Sequence, residues 1–231
     1  MAQAPFRIVE ALFPNLTQLD FTGPHQVLTR LPGAEVIVAS EAGGPVEADC
    51  LTFAHSVRLA DIDGCDLLLV PGGLGVHTAM NDPAFMEQIR RLGAGARYVT
   101  SVCTGSLILG AAGLLRGKRA ACHWGWRELL PLFGAIPDPG RVVRDGNIIT
   151  GGGVTAGIDL ALTIVAEVAG PETAQAIQLG FEYAPAPPFN AGRPETAPAE
   201  ILAAVVKQMN AVAPERRASA ERAAALMMAE A

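Results

Sequence analysis

A strand-to-helix corner around Cys103 carries the clearest chemical signal in the sequence. An apolar, β-branched run ends at Cys103, and a helical pattern of small and apolar residues begins at Ser106. The pattern Ser101-x-Cys103-x-Gly105 has the form of a nucleophile elbow, in which a sharp turn exposes one reactive side chain. Unpaired N–H groups and the helix dipole stabilise an anion at the first turn of a helix. We therefore predict a thiolate at Cys103, with a pKa below the free value of about 8.5.

The second candidate group is the carboxylate of Asp20. It follows the first predicted strand and a turn at residues 14–15, and open α/β sheets place functional groups just past their strand ends. An N-cap of a helix predicted over about 25–31 explains the same residue equally well. For Cys103 the structural alternative is a buried cysteine at the end of a core strand, because free cysteine is among the most buried residue types.

Strands and helices alternate along the chain. The predicted strands are 6–13, 34–40, 65–70, 97–103 and 118–123, with a hairpin over 141–150 and a weakly assigned hairpin-like region over 46–59. The predicted helices are 25–31, 83–92, 106–114, 126–133, 154–169 and 171–182. The continuous apolar run at 65–70 is typical of a strand buried on both faces of a parallel sheet. We predict one α/β domain over residues 1–231, with a mostly parallel sheet between helices.

The last part of the chain and two glycine-rich turns complete this outline. Residues 184–198 are Pro-rich and predict an ordered surface loop. Residues 199–231 predict a helical tail. The default interpretation of this tail is a solvated helix, and the alternative is that it contributes to a dimer. The glycines at 72–75 allow a close backbone approach to a ligand, although a plain tight turn is equally good there and the spacing fits neither a Rossmann nor a Walker motif.

Composition and charge exclude several classes of protein. The 231 residues are half hydrophobic, enough for one large α/β domain or two small ones. A net charge of −6 argues against a nucleic-acid surface. No run reaches the roughly 18 apolar residues of a membrane span, and residues 1–5 show no signal region. The cysteines have no paired spacing and no histidine cluster, so we expect a reducing cytoplasm rather than disulfides or zinc. They are Cys50, Cys65, Cys103 and Cys122.

Four short motifs, in this order, resemble the ThiJ/PfpI superfamily, which has the class I glutamine amidotransferase-like, flavodoxin-like fold. They are Val70-Pro71-Gly72-Gly73, Cys103-Thr104-Gly105-Ser106, Ala112-Gly113-Leu114-Leu115 and His123-Trp124. Within that superfamily, residues 19–24 together with 101–105 are similar to the isocyanide hydratases, homodimeric enzymes that hydrate isocyanides to N-formamides.

The resemblance implies a role for each matching residue. Cys103 is the implied nucleophile and Asp20 the acid/base beside it, with Thr104 next to the nucleophile. Gly72, Gly73 and Val154 are the implied substrate-binding residues, and the N–H groups of Gly73 and Thr104 are expected to face the substrate. No metal or organic cofactor is needed for this chemistry.

One difference from the superfamily pattern and a resemblance to a second group of proteins limit the hypothesis of a hydratase. Protease- and glyoxalase-like members commonly have His directly after the nucleophile, where this chain has Thr104, which disfavours peptidase activity. We expect His123 to be a satisfied core histidine at the end of a strand. The motifs also resemble the sensor domains of AraC-type regulators, although the chain after Ala199 is too short, acidic and Ala-rich for their DNA-binding module. A ligand or redox sensor oxidised at Cys103 is therefore the non-catalytic alternative.

The sequence thus predicts a cytoplasmic, cysteine-dependent hydro-lyase that hydrates isocyanides through a Cys103 thioimidate. Two adjacent anions repel, so one of the pair Cys103 and Asp20 keeps a proton, and we expect it on Asp20. Phe21, Trp124 and Val154 suggest apolar pocket walls. The expected partners are the isocyanide and a second copy of the chain, with no nucleic acid and no membrane.

Overall fold

Strands and helices alternate along the computed structural model, which describes residues 4–229. Its strands are β1 Phe6–Leu12, β2 Ala34–Ser40, β3 Val46–Ala48, β4 Leu51–Phe53, β5 Val57–Arg58, β6 Leu67–Val70, β7 Tyr98–Val102, β8 Arg119–Ala120, β9 Ile136–Pro137, β10 Val142–Asp145 and β11 Ile148–Gly151. Its helices are α1 Gln18–Leu28, α2 Val76–Ala79, α3 Pro83–Gly95, α4 Gly105–Ala111, α5 Ala156–Ala169, α6 Pro171–Gly180, α7 Ala199–Asn210 and α8 Ala213–Ala229. Short 3-10 helices cover Leu59–Asp61 and Arg127–Phe133.

Seven strands form the central sheet, in the order β10-β11-β7-β6-β1-β2-β5. Every neighbouring pair is parallel except the hairpin of β10 and β11. Strands β6 and β7 are buried along their whole length, as expected for central strands covered on both faces. Because β1, β6, β7 and β11 run in the same direction, the segments that follow them meet at one edge of the sheet. The predicted fold class is confirmed.

Helices cover both faces of the sheet. On one face α1, α5 and α6 form an apolar cluster with the strands, and on the other α3, α4 and α8 do so. The interpretation of the tail as a solvated helix is wrong for α8, since Ala220, Ala223, Ala224 and Met227 are buried. These positions recur every three to four residues and so share one helix face. Between residues 4 and 229 no helix has both the length and the apolar character needed to cross a bilayer.

Several predicted boundaries move for identifiable reasons. Helix α1 begins at Gln18, about seven residues before the predicted start, and runs through Pro24 because its buried face includes Phe21, Val27 and Leu28. Asp20 therefore lies in the first turn of α1 and is not an N-cap, a position that Thr17 occupies. The predicted strand over 118–123 shrinks to β8, which pairs only with the two residues of β9. The last two residues of the predicted tail, 230–231, lie outside the described part of the chain.

Two more segments differ in type or length. Helix α3 continues through Gly93, where a Cβ would lie 2.5 Å from a Leu114 methyl carbon, so the glycine allows close packing rather than ending the helix. The segment predicted as a helix over 126–133 is a 3-10 helix, and Pro131 within it lacks the N–H that an α-helix needs.

Candidate active site

Cys103 lies at the turn between β7 and α4 in a left-handed backbone conformation, with φ of 59°. A non-glycine residue in this region is strained, and such strain persists only where the surroundings hold it. The Cys103 N–H donates to the carbonyl oxygens of Gly151 at 3.1 Å and Gly152 at 2.9 Å. A sharp corner of this kind is what the elbow motif predicts.

We expect Gly105→Ala to disrupt the elbow. A Cβ at Gly105 would lie 2.2 Å from the Val70 carbonyl oxygen and 2.6 Å from that of Pro71. Both are backbone atoms, which cannot move aside as the end of a flexible side chain can. We expect the free energy of unfolding to fall by about 2–4 kcal/mol, measured by urea denaturation. Gly95→Ala is the matched control, since open space surrounds Gly95. Equal stability of the two variants would contradict the packing described for the corner.

The Asp20 carboxyl group is fully buried next to Cys103. Its Oδ2 accepts the Gly72 N–H at 3.0 Å, and the Cys103 side chain lies close enough to the carboxyl group to favour its ionised form. Oδ1 has no hydrogen-bond partner among the described protein atoms. Burial raises the pKa of Asp20 to about 7, against the opposing effect of these two neighbours. The group is therefore half-protonated near neutral pH.

The environment of the Cys103 sulfur contradicts one sequence-based expectation. Burial raises the pKa of the Cys103 thiol well above its usual range, and the neighbouring Asp20 charge raises it further. Hydrogen bonds from the backbone N–H groups of Val154 and Thr104 oppose the rise. The predictions of a thiolate at Cys103 and of the proton on Asp20 are both wrong, because Cys103 is only 5% exposed and desolvation outweighs the helix terminus. Above about pH 7 the pair of Cys103 and Asp20 therefore holds one shared proton, which resides on the sulfur.

The turn after β6 is packed into the site rather than open to a ligand. The Gly73 N–H donates to Thr104 Oγ1 at 3.0 Å, and the Gly72 N–H is taken by Asp20. A Cβ on Gly72 would lie 2.5 Å from the Thr104 nitrogen and 2.8 Å from Asp20 Oδ2, so only glycine fits there. The Gly73 N–H thus already has an acceptor within the protein, and the role of Gly73 in substrate binding stays a prediction.

The turn before α5 lies between the elbow and a groove. Val154, with φ of 29°, directs its N–H to the Cys103 sulfur and lines a groove of about 780 Å³. Cys122, His123 and Trp124 line the same groove. Val154 thus lies between the groove and the Cys103 sulfur.

His123 does not end a strand, because β8 stops at Ala120. Its Nδ1 accepts the Gly125 N–H at 3.2 Å, and its ring stacks on Trp124 with the centroids 5.7 Å apart. Burial lowers its pKa, with a smaller contribution from the charge of Arg216, so the imidazole is neutral at pH 7. His123 has the expected hydrogen-bond partner at Nδ1. The expectation that it ends a strand is wrong.

Two further neighbours of the site were not singled out from the sequence. Burial raises the pKa of Cys122 to about 12, against the opposing effect of the neighbouring Ser106 side chain, so Cys122 stays a thiol. The sequence feature that could have indicated Cys122 is its position directly before His123. Arg216 interacts electrostatically with Cys103 from α8, more than a hundred positions along the chain, and no sequence pattern marked it.

The profile of the DJ-1/PfpI family matches residues 7–167. The chain belongs to the DJ-1/PfpI family. The resemblance to the ThiJ/PfpI superfamily is thus confirmed. The family match ends within α5, so α6, α7 and α8 lie beyond it.

Three relatives place the chain within the DJ-1/PfpI family. It is 50% identical over 215 residues to the isonitrile hydratase of Pseudomonas putida, covering 93% of this chain and 94% of that enzyme. The crystal structure of a ThiJ/PfpI family protein from Pseudomonas syringae matches with a TM-score of 0.90 at 41% identity, covering 95% of this chain and 90% of the other. The HTH-type transcriptional regulator CdhR of Pseudomonas aeruginosa is 33% identical over 149 residues, 62% of this chain and 44% of the regulator.

Proposed function

We propose that this protein hydrates isocyanides to N-formamides, with Cys103 as nucleophile and Asp20 as acid and base. The observation that carries the proposal is the placement of the fully buried Asp20 carboxyl group beside Cys103 at the strained elbow. A carboxyl group with a pKa of about 7 both donates and accepts protons readily at neutral pH. The 50% identity to an isonitrile hydratase over nearly the whole chain supports the substrate class.

The first half of the proposed reaction forms a covalent bond to sulfur. The shared proton moves to Asp20, and the sulfur electron pair forms an S–C bond to the terminal carbon of the isocyanide. Asp20 delivers its proton to that same carbon. The product is a thioimidate, R–N=CH–S–Cys103, with Asp20 ionised. The Thr104 and Val154 N–H groups hold the sulfur before attack.

The second half releases the formamide and restores the pair. Ionised Asp20 takes a proton from water while the water oxygen bonds to the thioimidate carbon, and the proton then passes to nitrogen. Asp20 next removes the hydroxyl proton as the C=O bond forms and the C–S bond breaks. The product is R–NH–CHO, and the shared proton is again on the pair.

An absorbance assay with three substrates tests the proposal. An aryl isocyanide, methylglyoxal and a peptide represent the hydratase, glyoxalase and protease activities of related proteins. We expect turnover of the isocyanide alone, with the N-formamide as product. Turnover of methylglyoxal or the peptide without the isocyanide would contradict it.

We expect kcat/KM to rise with pH through about 7 and then to level off. Below pH 7 both Cys103 and Asp20 are protonated, so Asp20 cannot accept the proton of the thiol. Above pH 7 the pair holds one proton and is active. Initial rates between about pH 5.5 and 9 measure the profile. A profile that falls as pH rises through 7 would contradict the role of Asp20.

A ligand- or redox-sensing protein is the second candidate function. The similarity to CdhR over 149 residues favours it, because that protein is a transcriptional regulator. Saturable binding of an isocyanide without turnover would select this alternative.

We also propose a homodimer. Large apolar side chains are exposed in the segment that follows α5: Leu179 is 82% exposed, Phe189 79% and Ile201 51%. Association would remove this surface from water. We expect sedimentation to give twice the 24.0 kDa chain mass and Leu179→Glu to shift it toward the monomer. A monomeric parent protein would contradict the dimer.

A further inference from the structure

The groove beside Val154 extends well beyond the residues that hold the Cys103 sulfur. It is lined by the turn before α5 and by residues from three further segments, which are 122–127, 138–141 and 192–196. Its volume of about 780 Å³ falls within the range of about 300–1,000 Å³ that is typical of pockets for small molecules. An isocyano group is small, so the groove has room for the rest of a substrate.

The imidazole of His123 joins the groove to the turn beside the sulfur. A Cβ on Gly153 would lie only 3.0 Å from His123 Cδ2, so the ring packs against that turn. The next residue of the turn, Val154, directs its N–H to the Cys103 sulfur. Trp124 stacks on the His123 ring with 27° between the ring planes. An aromatic surface therefore lies next to the turn that holds the reacting atom.

Arg127 lines the same groove, three residues after Trp124. The turn between them is held by the Trp126 N–H, which donates to the His123 carbonyl oxygen at 2.9 Å. Arg127 is half-buried and forms no ion pair with any of residues 4–229. Its charge is therefore available to an anionic ligand in the groove.

The remaining charges of the groove leave it positive. Arg141 pairs with Asp159, and Asp138 pairs at 3.2 Å with an arginine outside the groove. Arg193 and Glu195 form no ion pair within the described part of the chain. Three arginines and two acidic residues line the groove, so it has one positive charge in excess, whereas the whole chain has a net charge of −6.

We propose that the groove binds the substituent of an aromatic isocyanide that carries a carboxylate, with Trp124 against the ring and Arg127 and Arg193 on the carboxylate. The inference rests on the proposed hydration at Cys103 and adds the substrate class. A guanidinium binds a carboxylate through two parallel hydrogen bonds, which makes arginine selective for this group. Aromatic rings pack well against one another in stacked or edge-to-face arrangements. A neutral isocyanide keeps only this second contact.

The binding of two reaction products tests the inference without turnover. One product, 4-formamidobenzoate, carries the carboxylate, and its methyl ester has the same ring without the charge. We expect calorimetry on the parent protein to give a dissociation constant about tenfold lower for the anion, because hydrogen bonds between charged groups are stronger than neutral ones. Sodium chloride at about 0.5 M should reduce this advantage, since salt screens charges that solvent reaches.

Replacing the unpaired arginines should remove the preference for the anion. We expect Arg127→Met to remove most of it and Arg193→Met to remove part of it. Arg217→Met is the matched control, since this arginine pairs with Glu128 and lies outside the groove, and it should leave both dissociation constants unchanged. If Arg127→Met fails to fold, Arg127→Gln removes the same charge with a polar side chain. The KM values of 4-isocyanobenzoate and its methyl ester should follow the same order.

Equal dissociation constants for the two products in the parent protein would overturn the inference, as would no measurable binding of either. A preference that survives the replacement of both Arg127 and Arg193, or one that Arg217→Met reduces equally, would overturn it too. Hydration of both isocyanides with equal kcat/KM would contradict this inference and leave the proposed function standing. Preferential binding of the anion without hydration of either isocyanide would support the role of the groove and contradict the proposed function.

Discussion

Cys103→Ala and Cys103→Ser are expected to abolish isocyanide hydration, lowering kcat by about 10³-fold or more. Without the sulfur no thioimidate forms, and Asp20 alone would have to direct water onto a carbon that the enzyme has not activated. The serine hydroxyl holds its proton more tightly than a thiol and does not replace it. Formation of the N-formamide, followed by absorbance, measures the effect.

Cys50→Ser is the control for Cys103. Cys50 is an exposed free cysteine on the β3–β4 turn, so its replacement should leave kcat unchanged. Thermal unfolding should show that the Cys103 variants remain folded. Hydration by Cys103→Ala at the parent rate would show that the sulfur is not the nucleophile.

Asp20→Asn is expected to remove turnover and to stabilise the fold at the same time. The amide cannot shuttle a proton, so kcat should fall by about 10²–10⁴-fold. It keeps an oxygen for the Gly72 N–H and removes a buried charge. The pKa of Asp20 rises from 3.8 to about 7 on folding, so the folded state binds the proton more tightly and stability falls as pH rises from about 4 to about 7.

The size of this stabilisation follows from the same shift. About three pKa units at 1.36 kcal/mol each give an upper bound of about 4 kcal/mol at pH 8. The amide nitrogen of the variant replaces Oδ1, which has no hydrogen-bond partner among the described atoms, and its unpaired N–H groups cost about 1–3 kcal/mol, so we expect a net gain of about 1–3 kcal/mol. Urea unfolding at several pH values measures it, and the gain should shrink toward pH 4. A variant with parent kcat, or one less stable than the parent at pH 8, would contradict this account of Asp20.

Local sequence sufficed for the elbow and for the choice of Asp20 as a candidate group. The β-branched run into Cys103, followed at once by small residues, predicts a sharp corner. Open α/β sheets place functional groups just past their strand ends, which made Asp20 a candidate, whereas its place beside Cys103 was implied by the resemblance to the isocyanide hydratases. Both inferences depend on short spacings and on a rule that holds for every parallel sheet.

What the sequence did not predict depends on contacts between distant segments. The direction of the Cys103 pKa shift depends on how deeply the sulfur is buried, which is set by packing from several elements. Helix α1 runs through Pro24 because a buried face outweighs the local signal of a proline. Arg216 comes within 4.0 Å of the Trp126 ring centroid through the docking of α8, and its own surroundings in the sequence are an ordinary charged, Ala-rich helix.

Trapping the covalent intermediate tests the central claim most directly. Borohydride, added during turnover, reduces the C=N bond of a thioimidate to an R–NH–CH₂–S link, and mass spectrometry directly after the quench detects this link before the N,S-acetal expels its thiolate. We predict that the peptide containing Cys103 gains the mass of the isocyanide plus two hydrogen atoms, and that Cys103→Ser gains nothing. Steady turnover with no adduct on Cys103, or an adduct on another residue, would contradict the account.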